Sequence, residues 1–141
     1  MKKLLIIVFL PLYLTASESY FKFPVEYLER QRERQALEEI TKAIMWIESR
    51  NNDQARGAAD DLGCLQITPI KLRDYNKRTS SHYQGKDLFN RAVSVEIFTY
   101  YAQKIGVYNY EEIARTWNTG SFSHSTAANN YWYLVQKQLN K

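Results

Sequence analysis

The sequence has few of the residues that disulfide frameworks, metal sites and thiol chemistry require. Cys64 is the only cysteine among 141 residues, so no disulfide can form within the chain. The two histidines, His82 and His124, lie far apart in polar segments, which is not the spacing of a metal site. Cys64 sits in an apolar motif, which favours burial over a role as nucleophile, and no phosphate-binding glycine loop is present. We therefore expect neither a metal nor a cofactor.

The chain also lacks a strong excess of charge of one sign. It has 19 basic and 15 acidic residues, and without Lys2 and Lys3 the basic count falls to 17. A domain with so small a net charge has no electrostatic reason to bind nucleic acid. We expect no nucleic-acid partner.

No apolar run reaches the roughly 20 residues that a membrane-spanning helix needs. The run at residues 4–14 follows Lys2 and Lys3 and precedes the small residues 15–17, a pattern typical of a secretory signal peptide. We expect residues 1–16 to be this signal peptide, with cleavage after Ala16, and an uncleaved membrane anchor is the alternative. The protein would then be exported to the periplasm, the cell envelope or the medium.

Helical spacing of apolar residues dominates the rest of the sequence. No segment alternates with period two for long enough to predict a strand, so the expected fold class is mainly α with little or no β. Four stripes carry this prediction: Leu37, Ile40, Ile44 and Ile47; Leu88, Ala92, Val95, Phe98, Ala102 and Ile105; Ile113, Ala114 and Trp117; and Tyr131, Leu134, Val135 and Leu139.

Helix-boundary residues divide these stripes. Thr68 followed by Pro69 predicts the start of a short helix that ends near residue 76. Asn90 and Gly106 are suited to begin and end the long third helix, and Asn109 to begin the next. The loops at 50–66 and 118–129 are rich in polar and turn residues. We expect a lead-in helix or extension at 17–36, mostly solvated, and a single domain at 37–141.

Glu48 lies at the end of the first strong helix, just before the first loop. It shares a helix face with Ile44 and Met45, so its carboxyl lies at the edge of the apolar stripe. Partial burial there favours the neutral form, which is the form that a general acid needs. The simpler interpretation is a solvated glutamate at a helix end.

Four short motifs then follow one another in a set order. They are Glu48-Ser49, Gly63-Cys64-Leu65-Gln66-Ile67, Trp117-Asn118-Thr119-Gly120 and Tyr131-Trp132-Tyr133-Leu134-Val135. In this order and spacing they resemble the catalytic domain of soluble lytic transglycosylases, which shares the lysozyme-like fold. The resemblance covers residues 37–139. The departures, such as Cys64 for the usual leucine and Trp117 for the frequent tyrosine, remove no proton-transferring group.

The resemblance implies a peptidoglycan lytic transglycosylase. Glu48 would protonate the oxygen that joins N-acetylmuramic acid to N-acetylglucosamine through a β-1,4 bond. The same carboxylate would then take the proton of the sugar's own 6-hydroxyl, which closes onto the anomeric carbon and gives a 1,6-anhydro end. Most glycosidases use a second carboxylate, but here no water needs activation.

The resemblance also assigns substrate-binding residues. Ser49 would bond the Glu48 carboxyl or the substrate, or else simply end the helix. Gln66 would bind N-acetyl or hydroxyl groups, or brace its loop. Asn118 would bond sugar or position Glu48, or form a turn. Tyr131 would orient Glu48 across the cleft by its hydroxyl, or be a ring of the core.

Two other functions stay open at this point. Asp60 and Asp61 follow Glu48 closely enough to suggest a hydrolytic muramidase like goose-type lysozyme, in which a carboxylate activates water. A non-catalytic peptidoglycan-binding subunit of an envelope-spanning assembly is the third hypothesis. We expect a monomer that binds peptidoglycan glycan strands, with an envelope-complex protein as a further partner left open.

Overall fold

The computed structural model describes the backbone of residues 10–141 and the side chains from residue 24 onward. Most of the expected signal peptide therefore lies outside the described residues, and its prediction stays untested. The chain divides into two units, Met1–Arg34 and Gln35–Lys141. In the first unit, the described backbone belongs to helix α1 (Leu10–Ser49), and the side chains of residues 24–34 are exposed.

The second unit holds the hydrophobic core. The last third of α1 contributes one buried stripe, because Ala36, Ile40, Ala43 and Ile44 recur at helical spacing and each is at most 5% exposed. Phe98 packs edge-on against Trp117 with ring centroids 4.9 Å apart, which joins two later helices in the same core. This core therefore fixes the C-terminal end of α1, where Glu48 lies.

Four more α-helices complete the unit: α2 (Pro69–Thr79), α3 (Arg91–Ile105), α4 (Tyr110–Thr119) and α5 (Thr126–Leu139). A 3-10 helix, Gly85–Phe89, precedes α3. The caps of α2 and α3 follow the sequence prediction, with Thr68 Oγ1 accepting from Lys71 N and Asn90 Oδ1 from Ala92 N.

Three helix ends differ from the sequence prediction. Helix α5 begins at Thr126, inside the loop expected at 118–129, because the hydroxyl of Ser125 accepts from Ala128 N and caps the helix there. Helix α2 continues three residues beyond Asn76 and ends at Thr79. The amide of Asn76 does not end the helix, because it forms two hydrogen bonds with the backbone of Tyr83 instead. Helix α4 includes Asn118 and Thr119, which we expected in a loop, since the hydroxyl of Thr119 bonds Arg115 O one turn back and Gly120 ends the helix with φ of 80°.

The segment between α1 and α2 folds into a tight loop. It contains two isolated β-bridges, one between Arg56 and Leu62 and one between Leu62 and Ile67. Gly63 is required here, since its φ is +77° and a Cβ would lie 2.0 Å from the carbonyl oxygen of Leu88. The loop is thereby held against the 3-10 helix.

The mainly α fold class expected from the sequence is confirmed: across the described residues the structure has helices and no sheet. Within residues 10–141, no helix combines the length and the apolar character that a membrane crossing requires.

Candidate active site

Glu48 lies in the last turn of α1 and is half-buried. The hydroxyl of Tyr131, on α5, donates a hydrogen bond to Glu48 Oε1 at 2.6 Å. Burial raises the pKa of Glu48, and the charge of Asp61 adds to this, while the Tyr131 hydrogen bond and the charge of Lys71 oppose it. The net direction is upward, so the carboxyl holds its proton to higher pH than an ordinary glutamate does.

Lys71, on α2, is a charged neighbour of Glu48 that the sequence analysis missed. Its ammonium Nζ donates to the backbone oxygen of Trp117 at 3.0 Å and lies 3.4 Å from the centre of the Trp117 ring. Burial lowers the pKa of Lys71 to about 8, although the charges of Glu48 and Asp61 pull it upward. No motif indicates this lysine, because the sequence around it predicts only a short polar helix, on which a lysine is normally exposed to solvent.

Ser49 connects the end of α1 to the loop. Its hydroxyl donates to Cys64 O at 2.8 Å and accepts from Asn52 N at 3.1 Å. Both bonds go to the backbone, so the hydroxyl braces the loop against the helix end. Contact of Ser49 with substrate stays a prediction.

Gln66 lies in the same loop, at a positive φ of 48°. Its amide nitrogen donates to Gly63 O at 2.9 Å, and no donor among the described residues bonds its amide oxygen. Asp61 lies beside it: a Cβ on Gly57 would come within 2.6 Å of both Gln66 Oε1 and Asp61 Oδ2. Glycine at position 57 therefore makes room for two acceptor side chains at one place in the loop.

Asn118 lies in the last turn of α4 and is exposed. It lines a cavity of about 600 Å³ between α2, α3 and α4, together with Lys71, Trp117, Tyr101 and Gly120. Trp117 fixes one wall, because its indole Nε1 donates to Leu65 O at 3.2 Å. Lys71 thus connects this cavity to Glu48, since it lines the cavity and its charge acts on the Glu48 carboxyl.

Cys64 is fully buried, and burial raises the pKa of its thiol to about 11. The reactive thiolate is disfavoured by such surroundings. The core position expected for Cys64 is confirmed.

The structure brings Glu48 and Tyr131 into direct contact and places Ser49 at the end of α1 and Gln66 in the adjoining loop. Asn118 lines the cavity between α2, α3 and α4, whose lining includes Lys71 but neither Glu48 nor Gln66. A carboxyl with a raised pKa, held by the hydroxyl of Tyr131, can donate its proton to an oxygen bound against it. The roles of the four neighbours stay predictions.

Comparison with known proteins gives one family. Residues 27–137 match the model of the transglycosylase SLT domain, which is most of the chain. No curated protein and no solved structure matches the sequence. Domains of this family are helical and lysozyme-like, so both the resemblance noted in the sequence and its fold are confirmed.

Proposed function

Since the chain belongs to the transglycosylase SLT domain family, whose members cleave the glycan strands of peptidoglycan, we propose that it is a lytic transglycosylase. It cuts the β-1,4 bond between N-acetylmuramic acid and N-acetylglucosamine without water and leaves 1,6-anhydromuramic ends. Glu48 is the acid and then the base. The observation that carries the proposal is the half-buried Glu48 carboxyl, bonded to Tyr131 and with its pKa raised.

The first step needs a neutral Glu48. Its proton passes to the bridging oxygen, the bond from that oxygen to the anomeric carbon of the muramic sugar breaks, and positive charge develops on that carbon. Glu48 becomes a carboxylate. The Tyr131 hydroxyl at 2.6 Å and the ammonium of Lys71 stabilise this negative charge, because both favour the ionised form.

The second step returns the proton. The Glu48 carboxylate takes it from the 6-hydroxyl of the same muramic sugar, and the oxygen of that hydroxyl forms a bond to the anomeric carbon. The protonated glutamate is restored and no water is consumed. A single carboxyl therefore suffices, and neither Asp60 nor Asp61 is needed to activate water.

Substrate-binding roles follow from what each side chain has free. The amide oxygen of Gln66 is available to an N–H or O–H of the sugar, and exposed Asn118 offers both a donor and an acceptor at the cavity. Tyr131 orients the acid. Ser49 acts on substrate less directly, since its hydroxyl already bonds the backbone.

The wider setting is also part of the proposal. Proteins of this family act on peptidoglycan in the periplasm or envelope. We place residues 1–16 as a signal peptide, 17–36 as a lead-in segment and 37–141 as the catalytic domain. We propose that the protein works as a monomer on peptidoglycan glycan strands. Mass measurement of the exported protein would test the cleavage after Ala16.

The test is digestion of purified peptidoglycan by the full chain, followed by mass analysis of the released muropeptides. We expect products one water lighter than their reducing counterparts, and no products from Glu48→Gln. Glu112→Gln, at an exposed glutamate of α4, is the matched control and should cut normally.

Three results would contradict the proposal. Reducing ends would show a hydrolytic muramidase, and continued cutting by Glu48→Gln would remove this residue from the chemistry. Binding to peptidoglycan without any cutting by the parent chain would show a non-catalytic subunit.

A further inference from the structure

The cavity between α2, α3 and α4 has a lining that the proposed function uses chiefly at Asn118. Its volume is about 600 Å³, within the usual range for sites that bind small molecules. Most of its inner wall is apolar or aromatic: Phe98, Tyr101, Ala102, Ile105, Ile113 and Trp117. The Trp117 ring lies 4.9 Å from the ring of Phe98 and 6.3 Å from that of Tyr101, measured between centroids. The wall is therefore held in place by contacts within the fold.

Lys71 places an ammonium group in this lining. Its Nζ donates to Trp117 O at 3.0 Å and lies 3.4 Å from the centre of the Trp117 ring. An ammonium has three N–H groups, so the bond to the carbonyl leaves others for a ligand. Lys71 forms no ion pair with any of the side chains described, which are those of residues 24–141. A partly buried charge without a paired partner is costly, and this favours the binding of an anion.

The other two charged residues of the lining neutralise each other. Arg78 Nε donates to Asp74 Oδ2 at 2.7 Å, and the Tyr101 hydroxyl donates to the same oxygen at 2.8 Å. The lining thus has two cations and one anion, and the net charge of +1 lies on Lys71. Burial lowers the pKa of Lys71 to about 8, which still leaves the ammonium mostly charged at neutral pH. The cavity is therefore complementary to an anion that carries apolar groups beside its charge.

The cavity adjoins the loop that carries Gln66. The indole of Trp117 donates to Leu65 O at 3.2 Å, and Thr68, two positions after Gln66, lines the cavity together with Asn118. In the proposed function Gln66 and Asn118 bind the sugars, so a substituent of a bound sugar lies close to the cavity. The muramic sugar of peptidoglycan carries a short peptide that begins with alanine and glutamate. This peptide combines a methyl group with carboxylates, which is the chemistry that the lining fits.

We propose that this cavity binds the peptide that peptidoglycan carries on its muramic sugar, with a peptide carboxylate on the Lys71 ammonium and apolar peptide groups against Trp117 and Ile105. Lys71 is then a specificity-determining residue, which distinguishes glycan strands that carry peptides from bare strands. The inference rests on the proposed function for the identity of the ligand.

The experiment compares two ligands that differ only in charge. They are N-acetylmuramyl-L-alanyl-D-glutamate and its diamide, in which both glutamate carboxyls are amides. Each ligand is titrated into the ¹⁵N-labelled full chain while the indole N–H signal of Trp117 is followed. The chain has three tryptophans, so Trp46→Phe and Trp132→Phe assign the signals. We expect the acid to shift the Trp117 signal and to bind roughly tenfold more tightly than the diamide, because a hydrogen bond between two charged groups is added.

Lys71→Met removes the cation from the lining. The acid should lose its advantage in this variant, so that the two ligands bind equally. Lys77→Met is the matched control, because Lys77 lies on the same helix, is exposed and does not line the cavity, and it should keep the parent's preference. If Lys71→Met does not fold, Lys71→Gln decides the question, since its neutral amide can still donate to Trp117 O.

Three results would overturn the inference: equal affinities of the parent for both ligands, a neutral Lys71 variant that still prefers the acid, or binding that leaves the Trp117 signal unmoved. The titration needs no turnover. A chain that binds the acid through Lys71 but never cuts peptidoglycan would end the proposed catalysis and leave this inference intact. A chain that releases anhydro ends without preferring the acid would keep the proposed function and end this inference.

Discussion

The substitution Tyr131→Phe removes one oxygen atom, and with it the hydrogen bond between Tyr131 and Glu48. The bond is 2.6 Å long, and Tyr131 is only 7% exposed, so water cannot easily replace the hydroxyl. A hydrogen bond to a charged group contributes about 1.5–3 kcal/mol. In the proposed first step Glu48 becomes a carboxylate, so the variant loses most of that amount from the transition state, and kcat/KM should fall roughly 10- to 150-fold.

The pH profile separates this effect from general damage. The Tyr131 bond lowers the pKa of Glu48, so its removal raises that pKa and keeps the acid protonated to higher pH. The alkaline limb of kcat/KM should therefore move upward in Tyr131→Phe even as the maximum falls. Release of muropeptides from purified peptidoglycan, measured across pH, would show both changes.

Tyr133→Phe is the matched control, since Tyr133 lies on the same helix and is 55% exposed. It should cut at the parent's rate with an unchanged profile. A Tyr131→Phe variant that cuts as fast as the parent would refute the reasoning, and so would a slower variant whose alkaline limb stays in place or moves downward.

Three further outcomes concern stability. Gly63→Ala should lower the free energy of unfolding in urea by roughly 1–3 kcal/mol more than Gly120→Ala does. Both glycines have positive φ, but only at Gly63 would the new Cβ meet a backbone oxygen, that of Leu88. Equal losses in the two variants would contradict this. Ser49→Ala should destabilise by about 1–2 kcal/mol and leave KM unchanged, and a raised KM would favour substrate contact instead. Burial raises the pKa of Glu48 in the folded state above 4.5, so stability falls as pH rises from the unfolded value through the folded one. Glutamine at position 48 carries no charge, so Glu48→Gln should have a higher melting temperature than the parent at neutral pH but not near pH 4. An equal difference in melting temperature at both pH values would contradict this prediction.

The sequence was enough to predict the helices, because their stripes and caps are local. Ile40 and Ile44 are four residues apart on one helix face, and both are completely buried as the spacing predicted. Thr68 caps α2 by a bond to a backbone N–H only three residues ahead. The helix ends were predicted less accurately. Asn118, for example, is helical because α4 extends to Thr119, whose hydroxyl bonds Arg115 O.

The surroundings of Glu48 could not be predicted in the same way. That Tyr131 would meet Glu48 was implied by the resemblance alone, and no spacing rule joins residues 83 positions apart. Lys71 was overlooked because an isolated lysine on a polar helix is normally solvated. Its position depends on Trp117, which is 46 positions further along the chain. The sequence indicates Asp61 only as a candidate base, since the burial of its Oδ1 without a hydrogen-bond partner depends on how the loop folds.

These contacts make the raised pKa of Glu48 a property of the whole second unit. Tyr131 comes from α5, Lys71 from α2 and Asp61 from the loop, while Trp117 of α4 holds both Lys71 and the carbonyl of Leu65. None of these side chains can change the pKa of Glu48 until the helices have packed. An unfolded or partly unfolded chain therefore has an ordinary glutamate at this position. Its proton is lost at a pH where the folded protein still keeps it, so we expect the proposed proton donation to a glycosidic oxygen to appear and disappear together with the fold.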